Sequence, residues 1–239
     1  MRPFRRIVAS TPRRWLAHLG LAVSLNLLNW MLLPASAVLF ASSISPDRWG
    51  FLHSPNLPIL PRVIATLLLL DLVRFSLHRA FHSVPALWRI HQVHHSDHDL
   101  DLTTGFRFHP LEGLLNQAAL LLAIVILAPP PIGVLISELV LVAQNFLSHA
   151  NVTITPALEA PLRYIFITPH LHRAHHSIEA EAQNSNFGTS FSCWDRLFRS
   201  YRHAPLTGDR ETALGLREVD VRKSTELPYL LALPFRARP

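Results

Sequence analysis

The chain has 239 residues, 49% of them hydrophobic and 16% charged, with a mean hydropathy of +0.24; soluble domains carry about 25% charge, so a disordered or heavily solvated chain is excluded. The 8 Gly and 19 Pro follow no collagen-like period, and the single cysteine, Cys193, excludes a disulfide framework, a four-thiolate zinc site and a cysteine-ligated iron–sulfur cluster. A net charge of +6 on so apolar a chain points to cationic loops beside a membrane and not to nucleic acid.

Residues 1–14 hold Arg2, Arg5, Arg6, Arg13 and Arg14 and no acid. Residues 16–41 then run 26 positions without a formal charge, about 39 Å as one helix against a hydrocarbon core of about 30 Å. A secretory signal has an apolar core of only about 7–15 residues, so a retained membrane helix is expected. A polar loop over 42–56, with turn residues Ser45-Pro46-Asp47 and Pro55, leads to a second apolar stretch over 57–77 that Arg62, Asp71 and Arg74 interrupt. Residues 83–108 are polar and rich in histidine. Two apolar stretches, 111–128 and 131–147, are split by Pro129-Pro130-Pro131 and predict a helical hairpin at the short limit for crossing. From 149 onward the chain is polar, with a weak apolar patch at 227–235.

This organisation predicts N-terminal membrane helices over 1–70, a histidine-rich domain over 71–201 that includes the 111–147 hairpin, and a tail over 202–239. The N-terminal arginines hold that end in the cytoplasm. An even number of crossings then brings every histidine cluster to the same side. The expected fold is all-α, with multi-pass transmembrane helices and a cytoplasmic helical metal-binding cap.

Three clusters carry the chemistry: His78-Arg-Ala-Phe-His82, His91-Gln-Val-His94-His95 and His172-Arg-Ala-His175-His176. Their i, i+3 and i+4 spacings bring imidazoles together on a helix, as in the paired histidines of helical zinc sites. Eight imidazoles exceed the roughly four ligands of one zinc ion and suggest two ions. Imidazole suits zinc, copper, iron and nickel alike, and haem would use only one or two. His18, His53, His98 and His203 stand alone and read as ordinary surface or core residues. A metal transporter or metal-binding scaffold without oxidase chemistry is the other reading. Transporters, however, place ligands near the bilayer midplane in related repeats, whereas these clusters lie past the ends of apolar runs.

The boxes and their surroundings resemble the fatty acid hydroxylase/sterol desaturase superfamily of membrane non-haem diiron enzymes. The resemblance includes Asp71 seven residues before His78, Arg107-Phe-His109-Pro-Leu-Glu112, Thr168-Pro169, Asn186-Phe-Gly188 and Trp194-Asp195-Arg196-Leu-Phe198; Arg199-Ser200-Tyr201 stands where the family often has Gly-Thr-Tyr. It implies two irons held by the eight box histidines, with His149, then His109, then His170 as candidate further ligands. No catalytic residue beyond the ligands is implied. Asp71 would be an outer carboxylate supporting a ligand, or else an ion-pair partner of Arg74. Asp195 and Glu112 carry the same pair of alternatives. The implied reaction uses O2 to hydroxylate or desaturate an unactivated C–H position of a sterol, fatty acyl chain or related lipid. A chain of 239 residues with one cysteine shows no fused electron donor, so a separate ferredoxin, cytochrome or reductase is expected.

Overall fold

Prolines open most of the helices, as expected of a residue whose fixed φ suits the first turn. The computed structural model describes residues 4–7, 9, 11–34, 36–44, 50–53, 56–204 and 211–236. Arg2, the Ser45-Pro46-Asp47 turn, Pro55 and parts of the expected tail lie outside the described residues. The helices are α1 (Thr11–Leu32), α2 (Ala37–Ser43), α3 (Ile59–Ser83), α4 (Pro85–His95), α5 (Pro110–Leu127), α6 (Pro131–His149), α7 (Pro156–Ile165), α8 (Pro169–His175), α9 (Ala180–Gln183), α10 (Cys193–Leu197) and α11 (Leu227–Ala232). Among the described residues there is no strand, only the isolated bridges Phe166–Phe191 and Ser177–Leu214. The fold is all-helical.

The single helix expected over 16–41 is two. Pro34 follows Leu33, which ends its helical pairing by donating to Asn29 O at 2.8 Å, and a residue before proline is driven out of the α region. Ser36 then caps α2, its Oγ accepting from the Leu39 N–H at 3.2 Å. The first helix also begins earlier than the apolar pattern does, at Thr11. Arg14 is therefore no flanking loop charge: it is wholly buried, 3.1 Å from Asp97 and 2.6 Å from Asp101.

Three helical stretches, Thr11–Ser43, Pro110–Leu127 and Pro131–His149, are long and apolar enough to cross a membrane. The 25-residue α3, with its three interrupting charges, is not among them, yet it packs along α6. A Cβ added to Gly133 would lie 2.9 Å from Thr66 Oγ1, and farther along Arg74 donates to Ser137 Oγ at 2.8 Å and pairs with Glu138. These contacts make α3 and α6 parallel, so His78 and His149 reach the same end of the bundle. The turn between α5 and α6 falls at the triple proline, with Ala128 left-handed at φ 44° as the C-cap. Leu70, Leu120, Ala123, Ile124 and Val134 fill the bundle core with Ala37 and Ala41. Trp30, Met31, Leu122, Ile126 and Leu139 point outward, as a bilayer-facing belt requires. A second core of Leu21, Val93, Leu216, Val219 and Leu230 seats the cap on the end of α1.

Candidate metal centre

The box histidines lie at the cap-side end of α3 and at the C-terminal ends of α4 and α8. They form two groups. His78, His82, His91, His95 and His175 make the first; His94, His149, His172 and His176 make the second, and the ligand atoms of each group lie within 4.8 Å of one another. Successive helical residues are about 100° apart, so adjacent histidines cannot face the same point. In α4 the i, i+4 pair His91 and His95 serves the first group and His94 the second. In the third box the pair His172 and His176 serves the second group and His175 the first. The two groups touch, with the rings of His95 and His176 stacked at 4.5 Å.

Backbone carbonyls and one carboxylate fix the rings. The Nδ1 of His78 lies 2.7 Å from Phe187 O, that of His175 2.8 Å from Ser185 O and that of His149 2.7 Å from Asn145 O. The Nδ1 of His91 lies 2.7 Å from Glu112 Oε1. Each partner accepts only, so each Nδ1 carries the proton and Nε2 is left as a bare donor atom pointing inward. Inside the groups Nε2 atoms face one another at 2.9 Å (His172–His149), 3.1 Å (His175–His78 and His176–His172) and 3.3 Å (His149–His94). Two nitrogens bound to one ion at about 2.1 Å, at right to tetrahedral angles, lie about 3.0–3.4 Å apart. Nε2 of His91 and both ring nitrogens of His82 and His95 are buried without a hydrogen-bond partner. Such orphaned atoms are costly unless something takes them up. Loss of water, then the neighbouring imidazoles, hold His94, His95, His172 and His176 well below the usual histidine range, and burial pushes His175 down to about 3. That environment favours the neutral form of these five rings, as metal binding needs. The donor set fits two imidazole-bound ions.

The remaining sequence candidates separate. His149 stands in the second group. His109 does not join either: it is the N-cap of α5, its Nδ1 accepting from the Leu111 N–H at 3.2 Å. His170 sits 3.6 Å from buried Glu159 and outside both groups. Asp71 is corrected on both of its alternatives. Its carboxylate accepts from Thr189 Oγ1 at 2.9 Å, the N–H groups of Ser190 and Phe191 at 3.2 Å, and Trp194 Nε1 at 3.0 Å, while Arg74 pairs with Glu138. Asp195 is one step removed from the site: it accepts from the N–H groups of Phe187 and Gly188 at 2.8 Å and so holds the carbonyl against which His78 rests. Burial raises its pKa despite those bonds. His98 donates from Nε2 to Val219 O, 2.8 Å away, in the cap core.

A network missed in the sequence lies under the second box. Arg107 donates to Val93 O at 2.8 Å and Ser96 Oγ at 2.7 Å and lies 3.0 Å from His18 Nε2, while Asp97 meets Arg14 and Thr104. The signal was the acid pair Asp97 and Asp101 beyond the box, which buried cations had to answer.

Two openings reach the histidines. A cavity of about 440 Å³ runs between α1, α3, α5 and α6, walled by Leu25, Leu70, Leu120 and Leu141, and ends at His91, His94 and His149. On the far side a basin of about 790 Å³, lined by Gln92, Asn184 and Tyr229, reaches His82 past Trp88.

Residues 63–200 match the family described as fatty acid hydroxylase. The chain belongs to the fatty acid hydroxylase family. The ornithine lipid hydroxylase of Rhizobium tropici is 31% identical to this member over 170 residues, 71% of this chain and 48% of that protein. Alkylglycerol monooxygenases of Caenorhabditis elegans and Homo sapiens are 28% identical over 169 and 131 residues, covering 70% and 55% of this chain but 32% and 28% of theirs. This fatty acid hydroxylase family chain spans about half the length, or less, of the curated relatives it matches. No solved structure matches it. Family membership and the three apolar helices make it an integral membrane protein.

Proposed function

We propose that the chain is a membrane-bound diiron lipid hydroxylase, with iron held by His78, His82, His91, His95 and His175 in one site and His94, His149, His172 and His176 in the other. The observation that carries the reading is the division of nine histidines, seven buried and two half-buried, into two touching groups at the end of a mainly apolar cavity. Two irons there would supply reduction of O2 and oxidation of an unactivated C–H bond. The balance is one oxygen atom inserted into C–H and one released as water, with two protons and two electrons from a separate donor protein. The relatives named for ornithine lipids and alkylglycerols support a polar-headed lipid as substrate.

The chain's own residues position and exclude. Leu70, Leu120 and Leu141 give an alkyl chain a dry path and keep bulk water from the reacting carbon. Glu112 and the carbonyls of Phe187, Ser185 and Asn145 hold the Nδ1 protons, so that each ring offers Nε2 to the ion. The cap faces the cytoplasm in this proposal, where a soluble donor can reach the basin over Trp88.

Iron per purified chain and lipid product, measured together, test the reading. About two irons are expected in the wild type, and a product heavier than its substrate by one oxygen; His94→Ala and His175→Ala should lose the product. A wild type that binds zinc and no iron, or a His94→Ala chain that still oxidises lipid, would overturn it.

A further inference from the structure

α7 is inside out. It buries its charges, Glu159 at 0% and Arg163 at 3% exposure, and shows Leu158, Tyr164 and Ile165 at 59%, 69% and 55%. The two buried charges pair with each other, Arg163 lying 2.6 Å from Glu159 and donating to Ala204 O. The α10 segment repeats the inversion: Asp195 is buried, whereas Leu197 and Phe198 are 65% and 42% exposed. The two segments form one surface, because Ser192 N–H donates to Ile165 O at 3.0 Å and the Phe166 and Phe191 rings stack at 5.7 Å. An apolar face over a charged interior is suited to an apolar surrounding and not to water.

Position along α3 identifies that surrounding. Asp71 anchors residues 189–194 from seven residues before His78, about 10 Å farther from the cap along the helix. Phe198 stacks on Phe75 of the same helix at 5.4 Å. The ledge thus runs down the side of α3, on the membrane side of His78. α7 itself starts only seven residues after α6 ends at His149. Charge agrees: Arg79, Arg196 and Arg199 are exposed around the ledge, while the two acids within 156–166 and 189–203, Glu159 and Asp195, are buried. Arg196 is held flat over Tyr164 and Tyr201, 4.9 and 3.8 Å from the ring centroids. Tyrosines and arginines are residues that settle at the headgroup level.

We infer that α7 and α10 form an interfacial ledge bedded in the boundary between headgroups and acyl chains of the leaflet nearest the cap, with anionic lipid phosphates on Arg79, Arg196 and Arg199. Cys193, the single cysteine, shares the α10 face with Leu197 at i, i+4 and is exposed, so it reports on the ledge without a substitution. The full chain, nitroxide-labelled at Cys193, is reconstituted in phosphatidylcholine vesicles with and without phosphatidylglycerol. Collision with O2 should exceed collision with a water-soluble nickel chelate at Cys193, and at a Leu197→Cys label in a Cys193→Ser background. The order should invert at an Arg222→Cys label on the cap. Phosphatidylglycerol should raise the O2-to-nickel ratio at Cys193 and high salt should lower it again. A ledge label that meets nickel as often as the Arg222→Cys label overturns the inference. So does spectral broadening that disappears on dilution with unlabelled chain, which would give the ledge to a second copy. A ratio indifferent to phosphatidylglycerol overturns the anionic contact. None of these readouts involves iron or turnover, so failure here is distinct from failure of the hydroxylase reading.

Discussion

Glu112 offers a measurable link between packing and metal affinity. Its Oε1 lies 2.7 Å from His91 Nδ1, with both side chains 2% exposed, so no water stands ready to replace the bond. A hydrogen bond to a charged partner contributes about 1.5–3 kcal/mol, or about ten- to hundredfold at roughly 1.4 kcal/mol per tenfold. Loss of an outer partner of a ligating histidine falls in the same range. Glu112→Gln keeps an acceptor and the shape but loses the charge, and should weaken iron retention about tenfold. Glu112→Leu strands the Nδ1–H and should weaken it about a hundredfold. Glu112 also stands in the first turn of α5, where an acid contributes about 0.3–1 kcal/mol through the helix dipole. The His109→Ala chain controls for this, since it removes the N-cap of the same helix at a cost of about 0.5–2 kcal/mol without touching His91. The assay is iron retained per chain against increasing chelator in detergent, with unfolding midpoints read in parallel. If Glu112→Leu holds iron like the wild type, or loses no more than His109→Ala, the carboxylate does not orient the ligand.

Asp71→Leu orphans the donors of Ser190, Phe191 and Trp194, at about 1–3 kcal/mol each, and should expose residues 189–198 to limited proteolysis; Asp71→Asn, which keeps an acceptor, should show less cleavage. In the metal-free chain the folded-state pKa values of His94, His95, His172, His175 and His176 lie below the unfolded value of 6.5, so the unfolded chain binds more protons. Stability should be full above about pH 6.5 and fall as pH drops towards the His175 value of about 3, and a flat unfolding midpoint between pH 7 and about 5 would contradict the burial of neutral rings. In a Cys193→Ser background, single cysteines at Glu181 and Arg222, both exposed on the cap, should react with an impermeant reagent only from the cytoplasmic side. Labelling of the two from opposite sides refutes a single cap.

The boxes were legible because their message is carried by side chains repeated at helical spacing, and the hairpin because three prolines mark its turn. Pro34 was equally visible inside the first apolar run, but hydropathy averages over a single breaker. Arg14 read as a flanking charge because its partners, Asp97 and Asp101, are more than 80 residues away. The same distance hid Asp71, whose acceptor sites face a segment about 120 residues later. The supports of His78, His149 and His175 are backbone carbonyls, which every residue owns and no composition marks. His109 misled for the opposite reason: an imidazole that caps a helix and one that faces an ion have the same letter.

The interleaving of the boxes would tie together the fates of two ions bound in the proposed sites. α4 and α8 each reach into both groups, so neither helix can swing aside to release one ion without disturbing the cage of the other. Ordering α4 around the first ion leaves His94 already aimed at the second, and binding to a segment another ligand has ordered costs less conformational entropy. Occupancy should therefore rise and fall in pairs, with half-loaded chains scarce across an iron titration. A shift of either helix would unsettle both cages at once.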